Sequence, residues 1–480
     1  MPENDFSFSE PAPKEERLLR CEWLSLLAIF LCGLWRFLSY SFFDGDARYL
    51  PGFGLTLTAW VMLAGAVVCA VRRGKIRASA LTVVVPACTA VLAGTYSLYI
   101  NSVFRLLNLP VIALAGVWGM MLLTGEAPMN FRSWLKNFER FLVNCFSCVL
   151  LPFRALGTLL RGRRKGQVSA EFVIGILLFI VVIPIVIVLL SGADAVFENL
   201  FTRLGKVFEN FDGSGIVRFL FWTVPVTFVL FSQTVAPARR ERTEGEERKT
   251  VIAPSLFILT LIGLAVSFAV FGYIQVRYLF LGEEAAVMAG GYAEYARGGF
   301  FQLLGVAVIS LLVVQPSLAC CGENRLIRAL CCAVALLTEI IVVSAYLRMK
   351  LYVDEYGLTI LRVLVQWANV MLFVCFAASA VKSVRPQLRI FRLLVLTVLI
   401  SWTLLCLVNP PARIAAYNVR MAENGSIALD REYLCELGPA GQKYLRKYEG
   451  PEAAMEEYQQ ENGQPTLYES SLEWILYSRK

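Results

Sequence analysis

The stretch ARRERTEGEERKTVIAPSLFILTLIGLAVSFAVFGYI, residues 238–274, decides the fold. It opens dense in Arg, Lys and Glu, and from Val251 to Ile274 it carries no charge at all. A helix rises about 1.5 Å per residue, so about 20 apolar residues cross the roughly 30 Å hydrocarbon core of a bilayer. The run 252–274 therefore reads as a transmembrane helix, and the charged stretch before it as a loop in water. The same alternation recurs along the whole chain.

Further apolar runs lie at 23–40, 53–71, 79–100, 103–124, 169–191, 218–235, 300–319, 327–347, 359–381 and 389–408. With 252–274 they make eleven spans. Composition agrees, because a chain 57% hydrophobic and 17% charged is far from a soluble domain. The runs are too long and too evenly apolar for barrel strands, so the expected fold is all-α, a polytopic helix bundle with a small helical extracytoplasmic region at its C-terminus.

Lys and Arg fall in every second connection, which sets orientation. Lys14, Arg17 and Arg20 precede the first span; Arg72, Arg73, Lys75 and Arg77 follow the second. Arg161, Arg163, Arg164 and Lys165 come after the fourth, and Arg239, Arg240, Arg242, Arg248 and Lys249 after the sixth. Arg325 and Arg328 follow the eighth, Lys382, Arg385, Arg389 and Arg392 the tenth. All share one side in an eleven-span chain, so the N-terminus is expected in the cytoplasm and residues 409–480 outside. The net charge of +8 is then topology and not nucleic-acid affinity, since no soluble basic face exists to carry it.

The spans group as a cytoplasmic tail (1–22), a four-span bundle (23–124), a basic amphipathic linker (125–168), a seven-span core (169–408) and the soluble C-terminal region (409–480). In the linker, Arg132, Lys136 and Arg140 oppose Phe131, Trp134, Leu135, Phe138, Phe141 and Leu142, as in a helix lying on anionic headgroups. A second amphipathic stretch spans Phe197 to Phe211 on the outer side. In the C-terminal region, helical pieces are expected at 430–437, 439–448, 451–461 and 467–478. They hold too few apolar residues for an independent core and should dock on the membrane domain. The first run lacks a small-residue cleavage pattern and reads as a retained anchor.

Among 480 residues there is no histidine, which excludes a histidine kinase outright and removes the commonest acid–base and metal-binding side chain. No phosphate-cradling Gly loop, nucleophile elbow or kinase signature occurs. Thirteen cysteines lie mostly in the spans, where Cys packs as a small hydrophobe. Cys145-x-x-Cys148, Cys320-Cys321 and Cys331-Cys332 could hold a soft metal, but their apolar neighbours favour packing, and no cofactor is expected.

Polar residues that could do work gather toward the outer ends of the last five spans. Arg277, Arg348, Tyr352, Tyr356, Arg362 and Arg413 fit either an aromatic and cationic belt at the headgroups or a rim that binds an anion or carbohydrate. Glu339 lies mid-span, where a charge costs at least about 2.5–3.5 kcal/mol. Counting back from Leu347, Glu339 comes level with Gln366, so a hydrogen bond between them is expected, with Asn369 one turn deeper. Asp44-Gly45-Asp46 in the first outer loop supports a competing reading, a glycosyltransferase acting on a lipid-linked sugar through a divalent cation; an ordinary turn has the same sequence.

Arg277-Tyr278-Leu279-Phe280, the run Tyr295 to Leu303, Leu347-Arg348-Met349 with Tyr352, Tyr356-Gly357-Leu358-Thr359 and Arg362, and Asn409-Pro410 with Ala412-Arg413-Ile414-Ala415 and Tyr417-Asn418 resemble a family of bacterial multi-pass membrane proteins described as a domain of unknown function. The resemblance covers about 169–435. It implies a bacterial plasma-membrane protein and no particular activity. Pro411 departs from the pattern, which has an acidic residue there. The expected role is non-enzymatic sensing, scaffolding or transport of a small-molecule or envelope ligand at the outer face, with the lipid bilayer as the other partner.

Overall fold

The computed structural model describes residues 18–42, 52–74, 79–123, 143–146, 148–149, 151–152, 155, 223–239, 254–279, 300–388, 390–449 and 471–478. All regular structure among them is helical. Ten helices precede the C-terminal region: α1 (Arg20–Phe42), α2 (Phe53–Arg72), α3 (Ala80–Leu98), α4 (Ser102–Leu123), α5 (Val224–Arg239), α6 (Pro254–Leu279), α7 (Phe300–Cys321), α8 (Arg325–Tyr356), α9 (Ile360–Val384) and α10 (Ile390–Leu407). Four follow: α11 (Pro410–Glu423), α12 (Arg431–Glu436), α13 (Pro439–Glu449) and α14 (Leu472–Ser478). The run 169–191, the stretches 131–142 and 197–211, and the piece 451–461 lie outside the described residues.

Eight of these helices are long and apolar enough to cross a membrane, and a ninth apolar segment, Phe257–Tyr273, lies within α6. Their outward faces carry Leu31, Leu259, Leu312 and Leu393, Leu259 being 77% exposed. In water such a surface would aggregate; in lipid it is the surface a span must present. The molecule is an all-α polytopic membrane bundle.

Local sequence fixes where the helices start and stop. Ser79 caps α3 in a reciprocal pair with Thr82, Asn324 caps α8 through the amides of Leu326 and Ile327, and Thr359 caps α9. Asn409, left-handed at φ 52°, turns the chain out of α10, and Pro410 starts α11. The largest departure from expectation is α8. It runs on to Tyr356, past the end of the apolar run at Leu347, so it is about 48 Å long. Charges at Arg348, Lys350, Asp354 and Glu355 end the bilayer but do not end a helix; the first breaker is Gly357.

Packing follows two clusters and a bridge. Helices α1, α2 and α5 close over Ile29, Cys69, Phe231 and Val235. Helices α6, α7, α8 and α9 close over Leu261, Val314, Cys331, Ile341 and Val365. Helix α10 lies between, packing Leu399 and Trp402 against Val85, Leu92 and Trp118, with Trp367 of α9 on its other side. Helix α5 thus sits with α1–α4 in space although it follows them by a long interval in sequence. Helices α11–α13 rest on the start of α9, where Ile414, Val419, Leu434 and Leu445 share one cluster with Leu358, Ile360 and Val363. That end is called the C-terminal face below.

Candidate functional site

At the C-terminal face the α8–α9 turn gathers three of the predicted rim residues. The Arg362 guanidinium lies over the Tyr352 ring at 4.3 Å from its centroid, and Tyr352 and Tyr356 are 5.0 Å apart. Nη1 of Arg362 also donates to the Tyr356 carbonyl at 2.9 Å and to that of Gly357. These are the free carbonyls at the end of α8, where a cation is favoured, so Arg362 closes the helix end and braces the turn. Arg348 is buried one turn earlier on α8, and Arg413 is exposed on α11. Arg277 lies in α6 with its side chain outside the described residues, as are Asp44 and Asp46.

The intramembrane polar residues are arranged differently from expectation. Because α8 continues to Tyr356, its register against α9 is shifted: Glu339 reaches the backbone of Ala377, while Gln366 Nε2 points at the Tyr346 carbonyl, 3.5 Å away. The two side chains are therefore far apart along the seam. Glu339 Oε2, Gln366 Oε1 and both side-chain polar atoms of Asn369 are buried without a hydrogen-bond partner. A buried polar atom left unpaired is costly, so each one asks for an explanation.

Sequence reasoning missed a cavity of about 470 Å³ at the C-terminal face. Ile100, Asn101, Ser102 and Val103 of the α3–α4 turn form one wall. Thr359, Ile360, Leu361 and Leu364 of α9 form the second, and Tyr433 to Gly438 the third. Tyr433 fixes the junction, its hydroxyl accepting the Ile360 amide at 2.7 Å, and burial pushes its phenol pKa up. Asn101 caps α4 through the Phe104 amide at 3.1 Å. Among the described residues, Glu436 is the only charged side chain lining it.

Beneath this cavity lies a buried polar network. Arg105 donates to the Tyr96 carbonyl at 2.9 Å, while the Tyr96 hydroxyl donates to the Arg105 carbonyl. Asn108 accepts from the Trp402 indole at 2.7 Å. Glu473 of α14 accepts from Asn409 at 2.9 Å and from the Ile100 amide at 3.2 Å, tying the C-terminal helix to the bundle. Burial pushes the Glu473 carboxyl above the usual range, against the opposing pull of these bonds and of Arg105 and Lys443. Between Arg105, Asn108 and Asn409 remains a space of about 20 Å³, the size of one water molecule. The signal was available: Arg105 and Asn108 interrupt the fourth apolar run just as Glu339 interrupts the ninth.

The opposite face has a buried ion cluster. Glu22 in α1 has no exposed side-chain surface and receives Arg73 from the end of α2 at 2.7 Å and Arg239 from the end of α5 at 2.6 Å. Cys145 and Cys148 pack with Met121 and Leu151.

Fold and packing together define a polytopic helical membrane protein with a capped, cavity-bearing end. The chain belongs to the DUF4153 family, a domain of unknown function, whose family model matches residues 86–448. That match begins well before the resemblance at 169–435, in α3, and ends in α13. No curated protein and no solved structure matches the chain.

Proposed function

We propose that this protein binds a small amphipathic ligand from the cell envelope at its C-terminal face, as a non-enzymatic sensor, scaffold or transporter. The cavity of about 470 Å³ carries the reading, because its volume falls in the range of ligand sites. Ile360, Leu361, Leu364 and Val103 offer an apolar wall, and Asn101, Ser102, Thr359 and Glu436 a polar rim. That division suits a molecule with an apolar body and a neutral or cationic head; Glu436 disfavours an anion. Native mass spectrometry of the purified protein against lipids and metabolites is expected to retain a bound species. Replacing Leu361 and Leu364 together by Trp should fill the cavity and lower its occupancy about tenfold. Identical spectra for wild type and the filled variant would overturn the reading.

The Lys/Arg bias supports a plasma membrane orientation with a cytoplasmic N-terminus and an extracytoplasmic C-terminal face. Cys435 in α12 and exposed Cys320 at the end of α7 lie toward opposite faces and report it directly. In single-cysteine variants in intact cells, an impermeant maleimide is expected to label Cys435, with Cys320 labelled only after permeabilisation. The reverse pattern inverts the topology.

A further inference from the structure

Glu339 lies inside α8, about 21 Å from its start at Arg325 and about 25 Å from its end at Tyr356. Leu336 and Val343 on the neighbouring turns are exposed, yet Glu339 Oε2 is buried in protein and unpaired. A carboxyl placed there is not a snorkelling anchor.

What surrounds it is unequal on its two sides. The carboxyl meets α9 at Ala377. Toward the end of α9 at Val384, the groups near this level are polar at nearly every turn. Buried Ser379 receives the Gln315 amide of α7 at 2.9 Å, Ser383 donates to the Ser379 carbonyl at 2.9 Å, and Lys382 stands beside Ser383. From Ala377 to Val384 is about 10 Å along the axis. Toward the C-terminal face the next polar group on α9 is Asn369, about 12 Å away. Phe376 and Leu372, packed with Val342 of α8, lie in the interval. One side is a stair of hydroxyl, amide and ammonium groups; the other is mainly apolar, with the buried hydroxyl of Ser344 the polar group that α8 places there among the described residues.

Among the described residues, the charged groups that could hold Glu339 ionised are few. Helix α7 has no Asp, Glu, Lys or Arg, with Cys320 and Cys321 at its end. In α6 the titratable groups are Tyr273, Arg277 and Tyr278, near its far end. Helix α9 brings Lys382 and, at its start, Arg362. On α8 itself the nearest charges are Arg348, about 13 Å along the axis, and Arg328, about 16 Å away. Among the described side chains, none makes an ion pair with Glu339.

We propose that Glu339 is an intramembrane proton-binding site that exchanges protons with the face opposite the C-terminal helices, along Lys382, Ser383, Ser379 and Gln315. A proton from solvent at that face is taken by the carboxylate to give the neutral acid and is returned by the same route. No bond other than O–H forms or breaks, and no electron moves. The mainly apolar packing at Phe376 and Leu372 keeps the site from the C-terminal face, so the site binds and releases a proton without a leak across the membrane.

The test uses the full chain in nanodiscs. Infrared difference spectra are expected to show a protonated-carboxyl C=O band that titrates between about pH 5 and about pH 9, the range of buried carboxyls. Glu339→Gln should abolish that band. In a pH jump, Gln315→Leu with Ser379→Val should slow the band's response about tenfold without moving its midpoint. Should Glu339→Gln fail to fold, carbodiimide labelling of Glu339 in the wild type, read by mass spectrometry, must follow the same titration. A signal that stays flat across this pH range overturns the proton site. An unslowed response in the double variant overturns the route.

Discussion

Replacing Glu22 by Ala is expected to cost about 3–5 kcal/mol of stability, the penalty for leaving buried charges without their partner. The Glu22 side chain is fully buried and its two oxygens serve three elements. Oε1 accepts from Arg73 Nε at 2.9 Å and Nη2 at 2.7 Å and from Arg239 Nε at 3.1 Å. Oε2 accepts from Arg239 Nη2 at 2.6 Å and from the Leu19 amide at 2.9 Å. One carboxylate thus holds two guanidinium groups together, and its loss leaves like charges facing each other where α1, α2 and α5 meet. Arg73→Ala and Arg239→Ala should each cost less, because the remaining pair stays neutral. Replacing all three by Leu should recover most of the loss, since an apolar trio removes the desolvation cost with the charges. Thermal or denaturant unfolding in nanodiscs measures this. A Glu22→Ala effect of about 0–1 kcal/mol, the range of a solvent-exposed pair, would mean the cluster is hydrated.

That cluster also shows what could be read from the residues and what could not. The spans were legible because lipid leaves a chain almost no choice: runs such as 300–319 and 389–408 must be helices, and α7 and α10 coincide with them within a few residues. Arg73 and Arg239 were read only as orientation signals, because pairing with Glu22 depends on α5 returning to α1 and α2, a long-range fact with no local trace. For α8 the reading stopped at the bilayer edge, and that one error displaced Glu339 from Gln366. Arg362 has the composition of a ligand-binding residue, yet its guanidinium is spent on the Tyr356 and Gly357 carbonyls and the Tyr352 ring. The cavity needs three separate segments, 100–103, 359–364 and 433–438, and no one of them signals it alone.

The junction that shapes this cavity should be the second weak point. Asn418 of α11 accepts the Leu358 amide at 2.7 Å and donates to the Leu358 carbonyl at 2.8 Å, replacing for that residue the partners a helix would supply. Leu358 lies in the three-residue turn from Gly357 to Thr359 that joins α8 to α9, so one side-chain amide fixes the turn to the C-terminal helices. Space is tight: a Cβ at Gly357 would fall 2.7 Å from Asn418 Oδ1, and φ there is 76°. Asn418→Leu therefore removes both partners of a part-buried backbone unit, at about 1–3 kcal/mol for each group, and presses branched carbon against the turn. A loss of about 3 kcal/mol in unfolding is expected. Asn418→Asp should be milder, since it keeps the bond from the amide but sets an anionic oxygen against the carbonyl. Gly357→Ala should destabilise as well, by about 1–2 kcal/mol from the left-handed backbone alone, before any clash. Because Tyr433 grips the adjacent Ile360 amide, all three variants should also loosen the third wall of the cavity and reduce the ligand retained in native mass spectra. Wild-type unfolding and ligand retention in Asn418→Leu would show that the turn holds itself, with α11 merely resting on it.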